Sequence, residues 1–354
     1  MIISRTPYRI SFLGGGTDYP AWYRTHGGAV LAATINKYCY ITCRYLPPFL
    51  EHRIRIVYSK MENCDRIDEI AHPAVREALR YLAIQRGVEI HHDGDLPARS
   101  GMGSSSAFTV GLLNALYALK GVMKSKLELA KDSIHLEQEV LQEVVGSQDQ
   151  VLAAHGGLLH VSFHPGEEFT VRPVTLTKER MTELNAHLML FYTGIKRTAS
   201  DVASTYARQM DGRKRQLRLL QDLVDEGVAA LSGGQDIRAF GELLHEAWQA
   251  KRELSSMVSN RDVDAIYEAA MSAGAIGGKL TGAGGGGFML LFVPPPNQKA
   301  VTESLKKLVR VPFKFESSGS QVIFYDPEED YSNEEEELRA QQTLLVARDL
   351  ECTA

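Results

Sequence analysis

Residues 97–107 read Pro-Ala-Arg-Ser-Gly-Met-Gly-Ser-Ser-Ser-Ala and stand between a strand-like stretch at 88–91 and a helical pattern over 104–119, where Phe108, Leu112, Leu116 and Leu119 recur at helical intervals. A strand that turns through glycines into a helix presents free backbone N–H groups at the helix start, and these attract anionic oxygens. The serines add hydroxyls that can cap the helix or donate a hard oxygen to magnesium. Ser100, Gly101, Met102, Gly103, Ser104, Ser105 and Ser106 are therefore candidate phosphate-binding residues. The same string also suits a plain glycine turn closed by a serine cap. It is not a Walker A loop, because no Gly-x4-Gly-Lys-Ser/Thr occurs and Gly278-Lys279 is followed by Leu280.

A second glycine-rich stretch covers 277–287, and Gly282, Gly284 and Gly287 satisfy GxGxxG only trivially, with a strand pattern rather than a helix after them. Glycine at this density implies a backbone that approaches something closely; a flexible hinge is the alternative, but so many glycines before a hydrophobic strand are more than a linker needs. Further strand patterns lie at 9–13, 38–43, 54–58, 158–163, 188–192, 288–293 and 321–325. Helical patterns cover 73–86, 126–145, 201–230, 236–257 and 263–273. Strands and helices intermix without regular βαβ winding, which predicts an α+β chain. At 354 residues two lobes are expected, with a first unit at 1–165, a second at 166–326 and an acidic tail at 327–354. The weak turn signal Pro165-Gly166 sets that boundary.

Two carboxylates stand out. Glu137 interrupts the apolar stripe Ala130, Ile134, Leu141 and Val144; a buried carboxylate is costly unless paired or metal-bound, which makes Glu137 a candidate magnesium ligand or a salt-bridge partner. Asp149, in the polar turn 146–150, could orient and deprotonate a hydroxyl or serve as an ordinary turn residue. Cys39 and Cys43 read as packing residues, and His160 and His164 lack the spacing of a zinc site. The net charge of −5 gives no footprint for nucleic acid or an anionic membrane. No signal peptide or spanning run is evident, so a cytoplasmic location is expected.

Residues 7–19, the serine loop and 279–287 together resemble, in order, the three motifs of the GHMP kinases, the galactokinase, homoserine, mevalonate and phosphomevalonate kinases. The resemblance implies a ribosomal-protein-S5-like N-terminal lobe with a left-handed βαβ connection, a ferredoxin-like C-terminal lobe, ATP as cosubstrate and Mg2+. It implies Asp149 as catalytic aspartate with Arg9 facing it, Ser105 and Glu137 on the metal, and Asp18 on the sugar. Gly15, Gly16, Thr17, Gly282, Ala283 and Gly284 would line the substrate site. Gly15-Gly16 replace the Glu-His pair of galactokinases, which argues against galactose. The strings at 14–20, 27–31, 146–150 and 245–248 most resemble the branch acting on D-glycero-D-manno-heptose 7-phosphate at its anomeric hydroxyl, which supplies bacterial surface polysaccharides. A sugar phosphate needs basic groups, for which Arg99, Lys196, Arg197 and Lys251 are candidates. Fucose, a uronic acid, an unphosphorylated heptose, or a non-catalytic sensor of sugar and nucleotide are the rival readings. A homo-oligomer is left open.

Overall fold

A computed structural model describes residues 1–98, 100–166, 168–195 and 210–326. Arg99, Lys196, Arg197 and the tail 327–354 lie outside the described residues. Two sheets organise the chain. The larger has eight strands in the order β12-β1-β2-β5-β3-β4, with β6 paired to β2 and β7 to β6. Its members are β1 (Ile2–Leu13), β2 (Gly28–Tyr45), β3 (Ile54–Val57), β4 (Met61–Cys64), β5 (Val88–Gly94), β6 (Leu158–Phe163), β7 (Phe169–Pro173) and β12 (Gln321–Tyr325). The smaller is antiparallel, in the order β11-β8-β10-β9, from β8 (Leu188–Tyr192), β9 (Gly277–Leu280), β10 (Phe288–Phe292) and β11 (Val309–Arg310).

The 18 residues of β2 tie the larger sheet together. One edge pairs with β1, and the other is divided between β6, at Gly28–Ala33, and β5, at Cys39–Tyr45. Strands β3 and β5 are parallel and are joined through α2 (Pro73–Tyr81). Helix α3 (Ser104–Leu119) lies on β1 and β2. Gly111 allows that approach: a Cβ there would stand 2.8 Å from Thr6 Oγ1, and Ser4 Oγ donates to its carbonyl at 2.8 Å. Cys39 and Cys43 are buried in β2 as packing residues.

The expected boundary at 165/166 falls inside the β6–β7 hairpin, where Phe163 pairs with Phe169, so both strands belong to the first sheet. Residues 316–325 also return to it: Thr34 Oγ1 donates to Glu316 O at 2.7 Å, and β12 pairs with β1. Pro165-Gly166 is a hairpin turn, with Gly166 at φ 95°. The second half also carries α6 (Lys178–His187), α7 (Lys214–Ser232), α8 (Arg238–Arg252), α9 (Arg261–Ser272) and α10 (Gln298–Ser304); α7 packs on β1 and β2, and α8 and α9 on β9. The sheets share a core, since Phe12 of β1 meets Phe240 of α8 at 5.6 Å between ring centres and Phe240 meets Phe292 of β10 at 6.3 Å. Among the described residues no helix is long and apolar enough to cross a membrane.

The helix expected over 126–145 stops early. It runs as α4 (Lys126–His135), passes into a π-helical turn at Leu136–Val140 and ends, with Gln142 at φ 54°. Val144, expected on the buried stripe, is exposed. Residues 146–150, read as a turn, instead open α5 (Gln148–His155).

Candidate active site

Helix α3 starts at Ser104 behind Gly103, which has φ 72°, offers no side-chain cap and leads into a first turn without acidic residues. The serine loop crosses directly over β1. A Cβ on Gly103 would lie 3.2 Å from Arg9 Cγ and 3.4 Å from Asp149 Oδ2. The loop is held there by its carbonyls: Arg9 N donates to Met102 O at 3.1 Å, and Arg9 Nη1 donates to Gly101 O at 2.8 Å. The Met102 side chain is fully buried, so this residue can meet a ligand only through its backbone. Ser100 is buried with an Oγ that has no hydrogen-bond partner.

Glu137 lies in the π-helical turn, 1 % exposed. Ser106 Oγ donates to its Oε2 at 2.9 Å, Gln150 Nε2 donates to the same oxygen, and Oε1 has no partner. Burial pushes the carboxyl up to about 7, with hydrogen bonds from Thr109, Ser106 and Gln150 opposing and the Glu143 charge assisting. Ser105, expected beside Glu137, is exposed; successive helical residues point about 100° apart, and it is Ser106 that faces the carboxylate. An unpartnered buried carboxylate oxygen next to a hydroxyl is a donor pair suited to a magnesium ion, which takes few protein ligands and completes its shell from water and phosphate.

Beside this pair, Arg9 grips Asp149 from β1 with Nε to Oδ1 at 2.6 Å and Nη2 to Oδ2 at 2.7 Å. Arg9 is 4 % exposed and Asp149 22 %, so the carboxylate is the part of the pair that solvent reaches. Two of the roughly four acceptor positions of Asp149 are used, and the remainder can receive a hydroxyl. Asp18 is buried and accepts from Gly16 N at 2.9 Å, Gln148 Nε2 at 3.0 Å and Gln148 N at 3.4 Å. Burial raises its carboxyl, against those bonds and with help from Asp149. A Cβ on Gly146 would stand 1.9 Å from Asp18 Oδ2, so glycine is required where the turn before α5 folds over Asp18. Thr17, expected on the substrate, has its hydroxyl engaged by Gly14 O and Ala29 O, each at 2.9 Å, and by Ala29 N at 3.1 Å. It shapes the 14–18 turn.

Two buried lysines enter from the C-terminal half. Lys251 of α8 donates to Gly282 O, and burial followed by the Arg9 charge lowers its amine to about 8, with Asp18 and Asp149 opposing. Lys279 of β9 donates to Phe12 O at 2.9 Å, and burial, Lys251 and Arg9 hold it well below the usual range. Lys279 carries no signal in the sequence beyond a failed Walker motif, because its value comes from reaching across to β1. Ser106, Gln148 and Gln150 acquire their partners in the same nonlocal way.

The 281–287 loop backs the serine loop main chain to main chain. A Cβ on Gly101 would stand 2.5 Å from Thr281 O, one on Gly282 2.5 Å from Gly101 Cα, and one on Gly287 2.1 Å from Ser100 O. Gly284 is pressed in the same way against Val258 O, at 2.7 Å, while Ala283 is half-buried. The glycines serve close approach rather than a hinge.

The patterns that define the N-terminal and C-terminal domains of GHMP kinases match residues 69–157 and 219–310. The chain belongs to the GHMP kinase family. As a GHMP kinase it is a phosphotransferase with a hydroxyl acceptor and ATP as cosubstrate. It is 28 % identical over 294 residues to D-glycero-alpha-D-manno-heptose 7-phosphate kinase of Campylobacter jejuni, covering 80 % of this chain and 86 % of that one. It is 25 % identical over 318 residues to galactokinase of Thermococcus kodakarensis, covering 79 % and 85 %. The crystal structure of a D-glycero-D-manno-heptose 1-phosphate kinase from Bacteroides thetaiotaomicron superposes with a TM-score of 0.76 at 23 % identity, over 92 % of this chain and 99 % of that one. That last likeness establishes the fold. The mixed α/β architecture is that of the GHMP kinases.

Proposed function

We propose that this GHMP kinase transfers the γ-phosphoryl group of ATP to the anomeric hydroxyl of D-glycero-D-manno-heptose 7-phosphate, giving the 1,7-bisphosphate for surface-polysaccharide precursors. The observation that carries the reaction is the Arg9–Asp149 pair, a clamped and partly exposed carboxylate directly under the serine loop and the start of α3. The acceptor rests on the Campylobacter relative and on Gly15-Gly16, which remove the side chains that galactokinases use.

In this mechanism the start of α3, with the 100–106 backbone and hydroxyls, holds the transferring phosphates. Glu137 and Ser106 would hold a magnesium ion, which would supply neutralisation of phosphate charge. Arg9 fixes the direction of the Asp149 carboxylate through two charge-assisted hydrogen bonds. Asp149 accepts a hydrogen bond from the sugar hydroxyl and takes its proton as the new O–P bond forms and the bond to ADP breaks. Held in this fixed direction, the carboxylate contributes mainly by orienting the hydroxyl for in-line attack. Lys251 sits within this cluster and steadies the 281–287 loop through Gly282.

The test is an acceptor panel of heptose 7-phosphate, unphosphorylated heptose, fucose, galactose and a uronic acid, with released ADP as readout and phosphorus NMR of the product. The expected result is the highest kcat/KM with heptose 7-phosphate and an anomeric phosphate in the product. A better acceptor, or phosphate on another hydroxyl, overturns the substrate assignment.

A further inference from the structure

Helix α5 opens with three consecutive polar side chains, and each reaches a different charged group. Gln148 Nε2 donates to Asp18 Oδ2 at 3.0 Å, Asp149 accepts two bonds from Arg9, and Gln150 Nε2 donates to Glu137 Oε2. The first two contacts belong to residues already placed in the site. Gln150 has no such role, yet its side chain is completely buried. Its orientation follows from the contact, since a carboxylate requires the N–H side of the amide, and the Oε1 left over has no hydrogen-bond partner. An apolar side chain of similar volume would fill the same position without an orphaned oxygen. What glutamine adds is a donor aimed at Glu137.

Glu137 stands where such a donor matters. It lies in the single π-helical turn that follows α4, where Leu141 N donates to Leu136 O and Glu143 N donates to Glu137 O, each at 2.9 Å. The chain leaves that turn through Gln142 at φ 54°, a conformation that residues with side chains seldom adopt. No regular helix continues beyond Glu137 to fix its direction, so cross-links from regular elements must do so. Ser106 supplies one from α3 and Gln150 the other from α5, and both go to Oε2. Glu137 Oε1 is left without a partner.

We infer that Gln150 is a positioning residue for the metal: its amide holds Oε2 of Glu137 to the protein and so presents Oε1 to a magnesium ion. Because Gln150 directly follows Asp149, one turn of α5 sets the direction of both carboxylates, the one proposed to face the acceptor hydroxyl and the one proposed to face the metal. The bond is shielded from solvent, so water does not replace it when the amide is removed. This inference rests on the proposed magnesium site at Glu137 and adds to it the residue that orients the ligand.

The experiment compares full-length wild type, Gln150→Met and Glu137→Gln, with Mn2+ as the probe of the magnesium site. Mn2+ binding in the presence of ADP is read by electron paramagnetic resonance, and the thermal midpoint is recorded without metal. Glu137→Gln removes a charged ligand and should weaken Mn2+ binding about 100-fold. Gln150→Met releases the ligand without removing it and should weaken binding about tenfold. Its thermal midpoint should stay within about 3 °C of wild type, because the lost bond is offset by the loss of the orphaned oxygen. Weaker metal binding at unchanged stability is a combination that a packing role does not give. Turnover of Gln150→Met should recover in excess Mg2+, with the KM for sugar within about twofold of wild type. Mn2+ binding within about twofold of wild type in Gln150→Met, beside a weakened Glu137→Gln, overturns the positioning role alone. Unchanged binding in Glu137→Gln takes the metal away from Glu137 and overturns the proposed magnesium site as well. If Gln150→Met does not fold, Gln150→Asn, whose donor falls one methylene short of Glu137, is judged by the same Mn2+ binding.

Discussion

The two halves of the site are built from different materials. On the side proposed to hold the nucleotide, the serine loop and the 281–287 loop meet main chain to main chain, with glycines at 101, 282 and 287 where any Cβ would collide. On the side proposed to hold the acceptor, Arg9, Asp18, Asp149, Lys251 and Lys279 place five ionisable side chains in one mostly buried cluster. The first half depends on shape and on fixed peptide dipoles, which do not titrate. The second depends on charges that burial penalises and that persist because they offset one another. The halves should therefore fail in different ways.

The largest effect belongs to the acceptor side. Asp149→Asn keeps the size of the side chain but removes the charge that orients and accepts from the hydroxyl, and it leaves Arg9 uncompensated. Turnover should fall by roughly 10³–10⁴-fold with ATP affinity changed by less than about threefold. Single-turnover kinetics with a nucleotide-binding titration would check this; near-normal turnover removes Asp149 from the chemistry. On the nucleotide side the sharpest probe is Gly101→Ala, which combines φ 79° with a Cβ 2.5 Å from Thr281 O. It should raise the KM for ATP and lower kcat/KM about 100-fold, with about 1–3 kcal/mol of lost stability from backbone strain. A variant that bound ATP normally would show that the loops need not touch.

The halves also differed in how far they could be read from sequence. Glycine clusters are local, so the serine loop, the 104–119 helix and the close approach required of 277–287 were visible as strings. What the second loop approaches was not visible, because that depends on residues about 180 positions away in the chain. Arg9 and Asp149 are separated by 140 positions, and only the family resemblance suggested that they pair. Glu137 was selected for the right physical reason, a carboxylate on a buried face, although the helix carrying it ends in a π-helical turn that periodicity does not reveal. Ser105 and Ser106 differ by one step around a helix, which the string cannot resolve without knowing which face meets α4. The strand β9 hid within the glycines, since its buried faces are covered by neighbours rather than by its own side chains.

Protonation sharpens the contrast further. Lys251 is held at about 8 in the fold against an ordinary 10.5, chiefly by burial. Across that window the unfolded chain holds the proton and the fold does not, so stability rises with pH from about 8 and the gain is complete near 10.5. The groups that shape this shift are Arg9 on β1, Asp18 in the following turn and Asp149 on α5. The unfolding free energy of wild type minus that of Lys251→Met should increase by about 3.5 kcal/mol across the window, at about 1.4 kcal/mol per pKa unit. Denaturant titrations at several pH values would measure it. A flat difference would mean that the amine is not buried as described. Gly101→Ala should leave this slope unchanged, since the nucleotide side contributes no titrating group to it.

The smallest effect tests the seam between the halves, where a hydroxyl from the backbone-built side meets a buried carboxylate. Ser106 Oγ donates to Glu137 Oε2, and Gln150 supplies a second bond to the same oxygen, so Ser106→Ala leaves the carboxylate with one side-chain donor fewer but still tethered. The fold should survive, with a loss of about 1 kcal/mol. If the two residues jointly hold magnesium, the concentration needed for half-maximal turnover should rise about tenfold, whereas Ser105→Ala, on the exposed side of the same turn, should shift it by less than about twofold. The ratio between the two variants carries the meaning, because both remove one hydroxyl from one helical turn and differ only in direction. Equal shifts would place the metal outside the Ser106–Glu137 pair and make that bond a packing contact between α3 and the π-helical turn.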